Sequence, residues 1–151
     1  MTPPKVSFAL ICYEQEEFVR DAVRAALAQD YTPLEIILSD DCSPDATFDI
    51  IEEEVSKYDG PHAVSINRNT TNLGSEHLDK VMTLVQGDFV VFGHGDDISM
   101  PHRTRRLVDA WVKQDVSLVS SNAAIIDAEA RPVGLLCSRC YQRVQTYPCR
   151  I

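Results

Sequence analysis

No stretch of this 151-residue chain approaches the roughly 20 consecutive apolar residues that a membrane-spanning helix needs. The N-terminus also lacks the basic-then-apolar segment of a secretory leader. Both absences lead to the expectation of a cytoplasmic protein. Basic clusters are missing too. Lys and Arg total 14 against 23 Asp and Glu, a net charge of −9, so the chain is poorly equipped to neutralise nucleic-acid phosphates. No nucleic-acid partner is expected. Neither Gly-x-Gly-x-x-Gly nor a Gly-rich phosphate loop ending in Lys-Ser/Thr occurs, which counts against dinucleotide cofactors and ATP hydrolysis. Acids run out early: none follows Glu129, whereas Arg131, Arg139, Arg143 and Arg150 lie beyond it. Cysteine is scarce until the last residues. Cys137 and Cys140 resemble half a zinc site with no second half at suitable spacing, so zinc is not expected.

What is present alternates. Val6 to Ile11 reads as a buried strand, and Phe18, Val19, Ala22, Val23, Ala26 and Leu27 fall at helical spacing within Glu14 to Ala28. Glu35 to Ser39 reads as a second strand. Ile50, Ile51, Val55 and Tyr58 mark a second helix, with Ser43 or Asp45 as caps, and Ala63 to Asn67 is a third strand. Leu78, Val81, Met82 and Val85 define a third helix closed by Gly87, before a fourth strand at Phe89 to Phe92. Pro101 suits the first position of a helix with Leu107, Val108, Trp111 and Val112 on its apolar face. Val116 to Ser120 is a fifth strand, and Ala124 to Asp127 can pair with Val133 to Leu136. This alternation predicts an α/β fold, a mainly parallel sheet with helices on both faces. The expected division is a domain over 1–135 and an irregular, basic, Cys-containing tail over 136–151.

Two of the apolar strands end in paired aspartates: Ile36-Ile37-Leu38-Ser39-Asp40-Asp41 and Val90-Val91-Phe92-Gly93-His94-Gly95-Asp96-Asp97. Like charges this close destabilise one another unless a cation or hydrogen-bond donors compensate. In open parallel sheets, ligands bind beyond the carboxyl ends of the strands, where the strand order reverses. Both pairs, and Ile11-Cys12-Tyr13, lie at such ends. Asp96 and Asp97 are oxygen ligands suited to Mg²⁺ or Mn²⁺, or else a polar turn before a helix. Asp40 and Asp41 can accept hydrogen bonds from a nucleobase or ribose, or close a turn with Ser43-Pro44-Asp45. His94 is either a metal or phosphate contact or a structural histidine. His77, Lys80, Arg103, Arg105 and Arg106 supply cations that could meet a diphosphate or simply be solvated.

In this order and spacing the chain resembles a family 2 glycosyltransferase of the GT-A fold. The resemblance is carried by Val6 to Tyr13, followed by Glu14 where that family usually has asparagine. It continues through Leu27 to Tyr31, Glu35 to Thr47, Asn72-Leu73-Gly74, Gln86 to Phe89 and Gly95-Asp96-Asp97. It implies transfer of a sugar from a nucleotide donor, most often a UDP-sugar, to a glycan or lipid-linked acceptor with inversion. By position, Ile11 and Tyr13 would line the base pocket, Asp41 would contact the base, with Asp40 beside it, and Asp96 would face ribose and sugar. Asp97, with Asp96 and His94, would hold Mn²⁺ or Mg²⁺ on the diphosphate. It further implies work in cell-surface polysaccharide building, with peripheral membrane association of a full-length enzyme.

The family's catalytic base lies in a later segment, and no acid follows Glu129 to fill it. The expectation is therefore a truncated enzyme that keeps its donor-binding half. Two other classes fit parts of the pattern: a non-catalytic nucleotide-sugar-binding domain, and an acidic-pocket Mg²⁺ protein of the phosphoryl-transfer or receiver type. The latter normally needs a lysine near the pocket, and none follows the fifth strand.

Overall fold

The computed structural model describes residues 2–114, 116–127, 131–136 and, for the backbone, 145–147. The chain divides into two compact units, Met1–Thr104 and Arg105–Ile151. Most of the expected 136–151 tail, with Cys137, Cys140 and Cys149, lies outside the described residues.

The first unit is built on four strands, β1 (Val6–Cys12), β2 (Leu34–Asp40), β3 (Ala63–Arg68) and β4 (Phe89–His94), in the order β3-β2-β1-β4. All three pairings are parallel. The central strands read as unbroken apolar runs because both of their faces are covered. Val6, Phe8, Ala9, Leu10, Ile36 and Leu38 are fully buried or within 1% of it. Each larger side chain among them stabilises the fold by about 1.5–3 kcal/mol. The register sets Cys12 beside Asp40 and Asp40 beside Arg68, and on the other side Ile11 beside His94. The chain builds outward from β1 to β3 and then crosses to the far side of β1 for β4. The strand order therefore reverses between β1 and β4.

Helix α1 (Val19–Leu27) buries Val19, Ala22, Val23 and Ala26, the stripe its spacing predicts. It begins later than the periodicity suggests, and Phe18 stays exposed. The reason is local. Glu14 adopts a left-handed conformation with φ of 50°, and the Phe18 and Val19 amides both donate to the Gln15 carbonyl. Helix α2 (Thr47–Ser56) opens where Asp45 accepts the Thr47 N–H at 3.1 Å. It is clamped to α1 by Arg20 and Arg24, which both reach the nearly buried Glu54.

Helix α3 (Glu76–Met82) is shorter than expected and rotated. His77 and Val81 are its buried residues, whereas Leu78 and Met82 are exposed. Gly87 precedes β4 where the chain presses on β1. A Cβ there would lie 2.5 Å from the Ser7 backbone nitrogen, and the Gly87 N–H donates to Ser7 Oγ at 2.8 Å.

Helix α4 (Arg103–Gln114) straddles the division between the units, with Leu107 and Val108 buried and Val112 exposed. In the second unit, β5 (Leu118–Ser120) pairs antiparallel with β8 (Gln145–Tyr147). The predicted hairpin is present as β6 (Ala124–Ile126) against β7 (Pro132–Leu135), also antiparallel. Among the described residues no helix is long and apolar enough to cross a membrane.

Candidate functional site

The carboxyl ends of the strands in the first unit are laced together beyond the sheet. The Asp41 N–H donates to the Cys12 carbonyl at 2.9 Å, Asn69 N–H to Asp40 at 2.9 Å, and Gly95 N–H to Ile11 at 3.0 Å. A second set of bonds staples the loop after β1 to the loop after β2. Ser43 Oγ accepts the Glu14 N–H, Thr47 Oγ1 accepts the Gln15 N–H, and Asp45 accepts the Glu16 N–H. Glu16 returns the contact by accepting the Ala46 N–H. Glu14, Gln15 and Glu16 are therefore committed to this junction and cannot extend α1.

At the reversal point lies a cavity of about 350 Å³, lined by Ile11, Cys12, Tyr13, Gln15, Asp41, Asn72, Gly74, His77 and His94. That volume is within the range of small-molecule sites. Ile11, Tyr13, Asp41 and His94 line this one pocket together. Tyr13 is 40% exposed, so its ring forms part of the rim.

The two acids of the first pair divide their work. Asp40 is fully buried and does not line the cavity. One of its oxygens accepts the Ser43 N–H at 2.9 Å, the other the Ser43 hydroxyl, and Arg68 approaches at 3.6 Å. This is the turn role, and Cys42 takes φ of 64° to complete it. Asp41 faces the other way. Its Oδ1 accepts from Asn69 Nδ2 at 2.7 Å and from the Leu73 N–H at 2.9 Å, while Oδ2 accepts the Gly74 N–H at 2.8 Å. Burial pushes this carboxyl up, but those donors, with His77 nearby, bring it below its ordinary value.

Asp96 and Asp97 follow β4 in an exposed turn closed by the Asp97 N–H on the His94 carbonyl at 3.0 Å. Neither lines the cavity itself. Asp96 is close enough for its charge to act on Cys12, whose buried thiol is pushed far above its ordinary value by burial, then by Asp40 and Asp96. That thiol is no nucleophile. Arg103 braces the same turn, donating to the Phe92 carbonyl at 2.9 Å and to Ser99 at 3.3 Å.

Among the described residues no group of three or more His, Cys, Asp or Glu forms a closed metal cage. The two exposed carboxylates on one turn, Asp96 and Asp97, are oxygen donors of the kind Mg²⁺ and Mn²⁺ accept. Such ions take one or two protein oxygens and complete their shell with phosphate and water. Asp97 and Asp96 fit that role.

Sequence reasoning missed the positions that α3 and its preceding loop bring in. Asn72 and Gly74 line the pocket from that loop and His77 from the helix, where the sequence offers His77 only as a cation for a diphosphate; Gln15 joins them from the loop after β1. The available signal was the i, i+4 pair His77 and Val81, overlooked because Leu78 and Met82 are more apolar.

The parallel order β3-β2-β1-β4 and a pocket between acid-tipped strands define an α/β domain of GT-A type. The match to the model for glycosyl transferase family 2 runs over residues 7–140, and the chain belongs to that family. It is 30% identical to EpsE of Bacillus subtilis strain 168, named as a glycosyltransferase, over 70% of this chain and 37% of EpsE. It is also 30% identical to TuaG of the same organism, named for teichuronic acid biosynthesis, over 86% of this chain and 51% of TuaG.

Among solved structures, the mannosyltransferase PcManGT of Pyrobaculum calidifontis, in complex with GDP-Man and Mn²⁺, superposes with a TM-score of 0.69. It shows 20% identity over 83% of this chain and 37% of that one. S. aureus TarS 1–349 with UDP gives 0.64, with 23% identity over 76% of this chain and 34% of that one. These likenesses show the fold. The chain spans about a quarter to a half of the length of the curated relatives it matches.

Proposed function

We propose that this chain binds the nucleotide-sugar donor of a glycosyltransferase that moves a sugar, with inversion, from a nucleoside diphosphate to a glycan or lipid-linked acceptor. The carrying observation is the cavity at the strand-order reversal, with Asp41 on one wall, His94 on the other and Asp96-Asp97 just past it. Asp41 and Tyr13 would receive the base, Ile11 would pack beside it, and Asp96 would face ribose and sugar. Asp97, with Asp96, would hold Mn²⁺ or Mg²⁺, which when bound offsets charge on the departing diphosphate. Metal and donor binding in PcManGT, UDP binding in TarS, and the polysaccharide-building names of the relatives support this reading. A UDP-sugar is the donor we favour, and the cytoplasmic face of the membrane the site of action.

Calorimetric titration of UDP tests the proposal. Binding is expected to strengthen by about tenfold or more with Mn²⁺, a difference of about 1.4 kcal/mol, and the metal effect is expected to vanish in Asp97→Ala. Binding indifferent both to metal and to that substitution would overturn the metal-bridged diphosphate. Donor hydrolysis or transfer separates an enzyme from a domain that only binds.

A further inference from the structure

Next to Asp41 lies a partly buried polar chain that the donor-binding reading does not require. Asn67 Nδ2 donates to Ser39 Oγ at 2.9 Å and to Asn69 Oδ1 at 3.1 Å. Ser39 Oγ is 2.7 Å from His77 Nε2, and His77 is 3% exposed. Ser39 has one proton to give, and among its contacts His77 Nε2 is the atom able to take it. The ring proton then resides on Nδ1. The carboxylate of Asp41 favours the same tautomer, because its Oδ2 is 4.0 Å from Nδ1, where a lone pair would be repelled. The assignment follows from the network. Burial holds the imidazole below its ordinary pKa against the attraction of Asp41 and Asp40, so the ring is neutral near pH 7.

At 4.0 Å the Nδ1–H and Oδ2 are too far apart to bond to each other. Asp41 Oδ2 has accepted one hydrogen bond, from Gly74, and retains a lone pair. Among the described residues no buried side-chain polar atom lacks a partner. Nδ1 has none within hydrogen-bond distance, so it is accessible, and His77 and Asp41 both line the cavity. The pocket floor thus presents one donor and one acceptor side by side.

We infer that His77 and Asp41 together read the edge of the base, admitting a ring that presents an N–H next to a C=O. The base N–H donates to Asp41 Oδ2, and the neighbouring carbonyl accepts from His77 Nδ1–H. Uracil and guanine carry that edge. Cytosine and adenine present a ring-nitrogen lone pair beside an amino group, which would set lone pair against carboxylate and N–H against N–H. Sites that hydrogen-bond a substrate group reject analogues that leave their own polar atoms unpaired. The inference rests on the donor-binding reading above and specifies the base-recognising part of it.

Titrate UDP, GDP, CDP, ADP and N3-methyl-UDP, each with Mn²⁺, into the full chain. UDP or GDP is expected to bind roughly tenfold to a hundredfold more tightly than CDP, ADP and N3-methyl-UDP. In His77→Phe the UDP-over-CDP ratio is expected to fall toward one. His77→Gln, which restores an N–H donor, is expected to recover part of it. A merely structural histidine would move stability and leave that ratio unchanged, so thermal melts accompany each variant. An unchanged ratio in a folded His77→Phe overturns the inference. So does CDP binding to the unaltered protein as tightly as UDP, whether or not the variant folds. No binding of any of these nucleotides would instead overturn the donor-binding reading.

Discussion

The Ser43 hydroxyl accepts the backbone N–H of Glu14 at 3.0 Å, joining the loop after β1 to the loop after β2. Glu14 sits there in the left-handed region with φ of 50°, a conformation that asparagine tolerates better than glutamate. Glu14→Asn keeps the backbone bond and eases that conformation. The expected result is a gain of about 0.5–1 kcal/mol in urea-denaturation stability.

The division of labour between Asp40 and Asp41 is separable by substitution. Asp40→Ala removes both acceptors of the Ser43 turn and the buried partner of Arg68. It is expected to cost about 2–4 kcal/mol in a denaturant titration. Asp41→Asn keeps the shape but turns an amide N–H toward one of the donors that meet there. A loss of about 1–3 kcal/mol is expected, with UDP affinity falling further than the stability change accounts for. Equal effects of the two substitutions on UDP affinity would contradict the assignment of Asp40 to the turn.

Stability is expected to rise with pH from the acid range to near neutrality. Burial, which outweighs Asp41 and Asp40, depresses folded His77 below its ordinary 6.5, so the unfolded chain takes up that proton first. As pH falls below 6.5, stability is lost until the folded ring also protonates. For Asp41, burial raises the carboxyl but the Asn69, Leu73 and Gly74 donors lower it further, leaving it below 3.8. Its contribution is present above 3.8 and lost as pH falls through the folded value. Urea midpoints at a series of pH values check this, and His77→Gln should flatten the upper part of the profile.

Gly87→Ala places a methyl against the Ser7 backbone nitrogen, where the gap is 2.5 Å. Backbone cannot give as a side chain can, so a cost of about 2–3 kcal/mol is expected. Gly134→Ala is the control. Its added carbon would meet Ile125 at an ordinary 3.7 Å, and thermal melting should show a change within about 0.5 kcal/mol.

The parallel strands were legible because buried strands need continuous apolar runs, as Ile36-Ile37-Leu38 and Phe89 to Phe92 provide. The grouping of Ile11, Tyr13, Asp41 and His94 followed from strand ends alone. Two things were not legible. The start of α1 depends on Glu14, Gln15 and Glu16 bonding to residues 43–47 far along the chain, which no local periodicity reveals. The facing of α3 depends on Ser39 meeting the His77 imidazole at 2.7 Å in the interior. A polar residue with a buried partner there displaced the more apolar Leu78 from the inside. Asp40 and Asp41 are adjacent, and only the Ser43 turn on one side and the 69–74 loop on the other tell them apart.

Residues 69–88 carry the chain from one margin of the sheet to the other, past β2 and β1, before β4 can zip onto its neighbour. Three of the residues that line the pocket, Asn72, Gly74 and His77, ride on this return journey. The pocket is thereby tied to the crossing that brings β4 onto β1. Occupancy of the pocket should slow global opening as well as local fraying, making ligand-dependent protection in hydrogen exchange reach as far as β4.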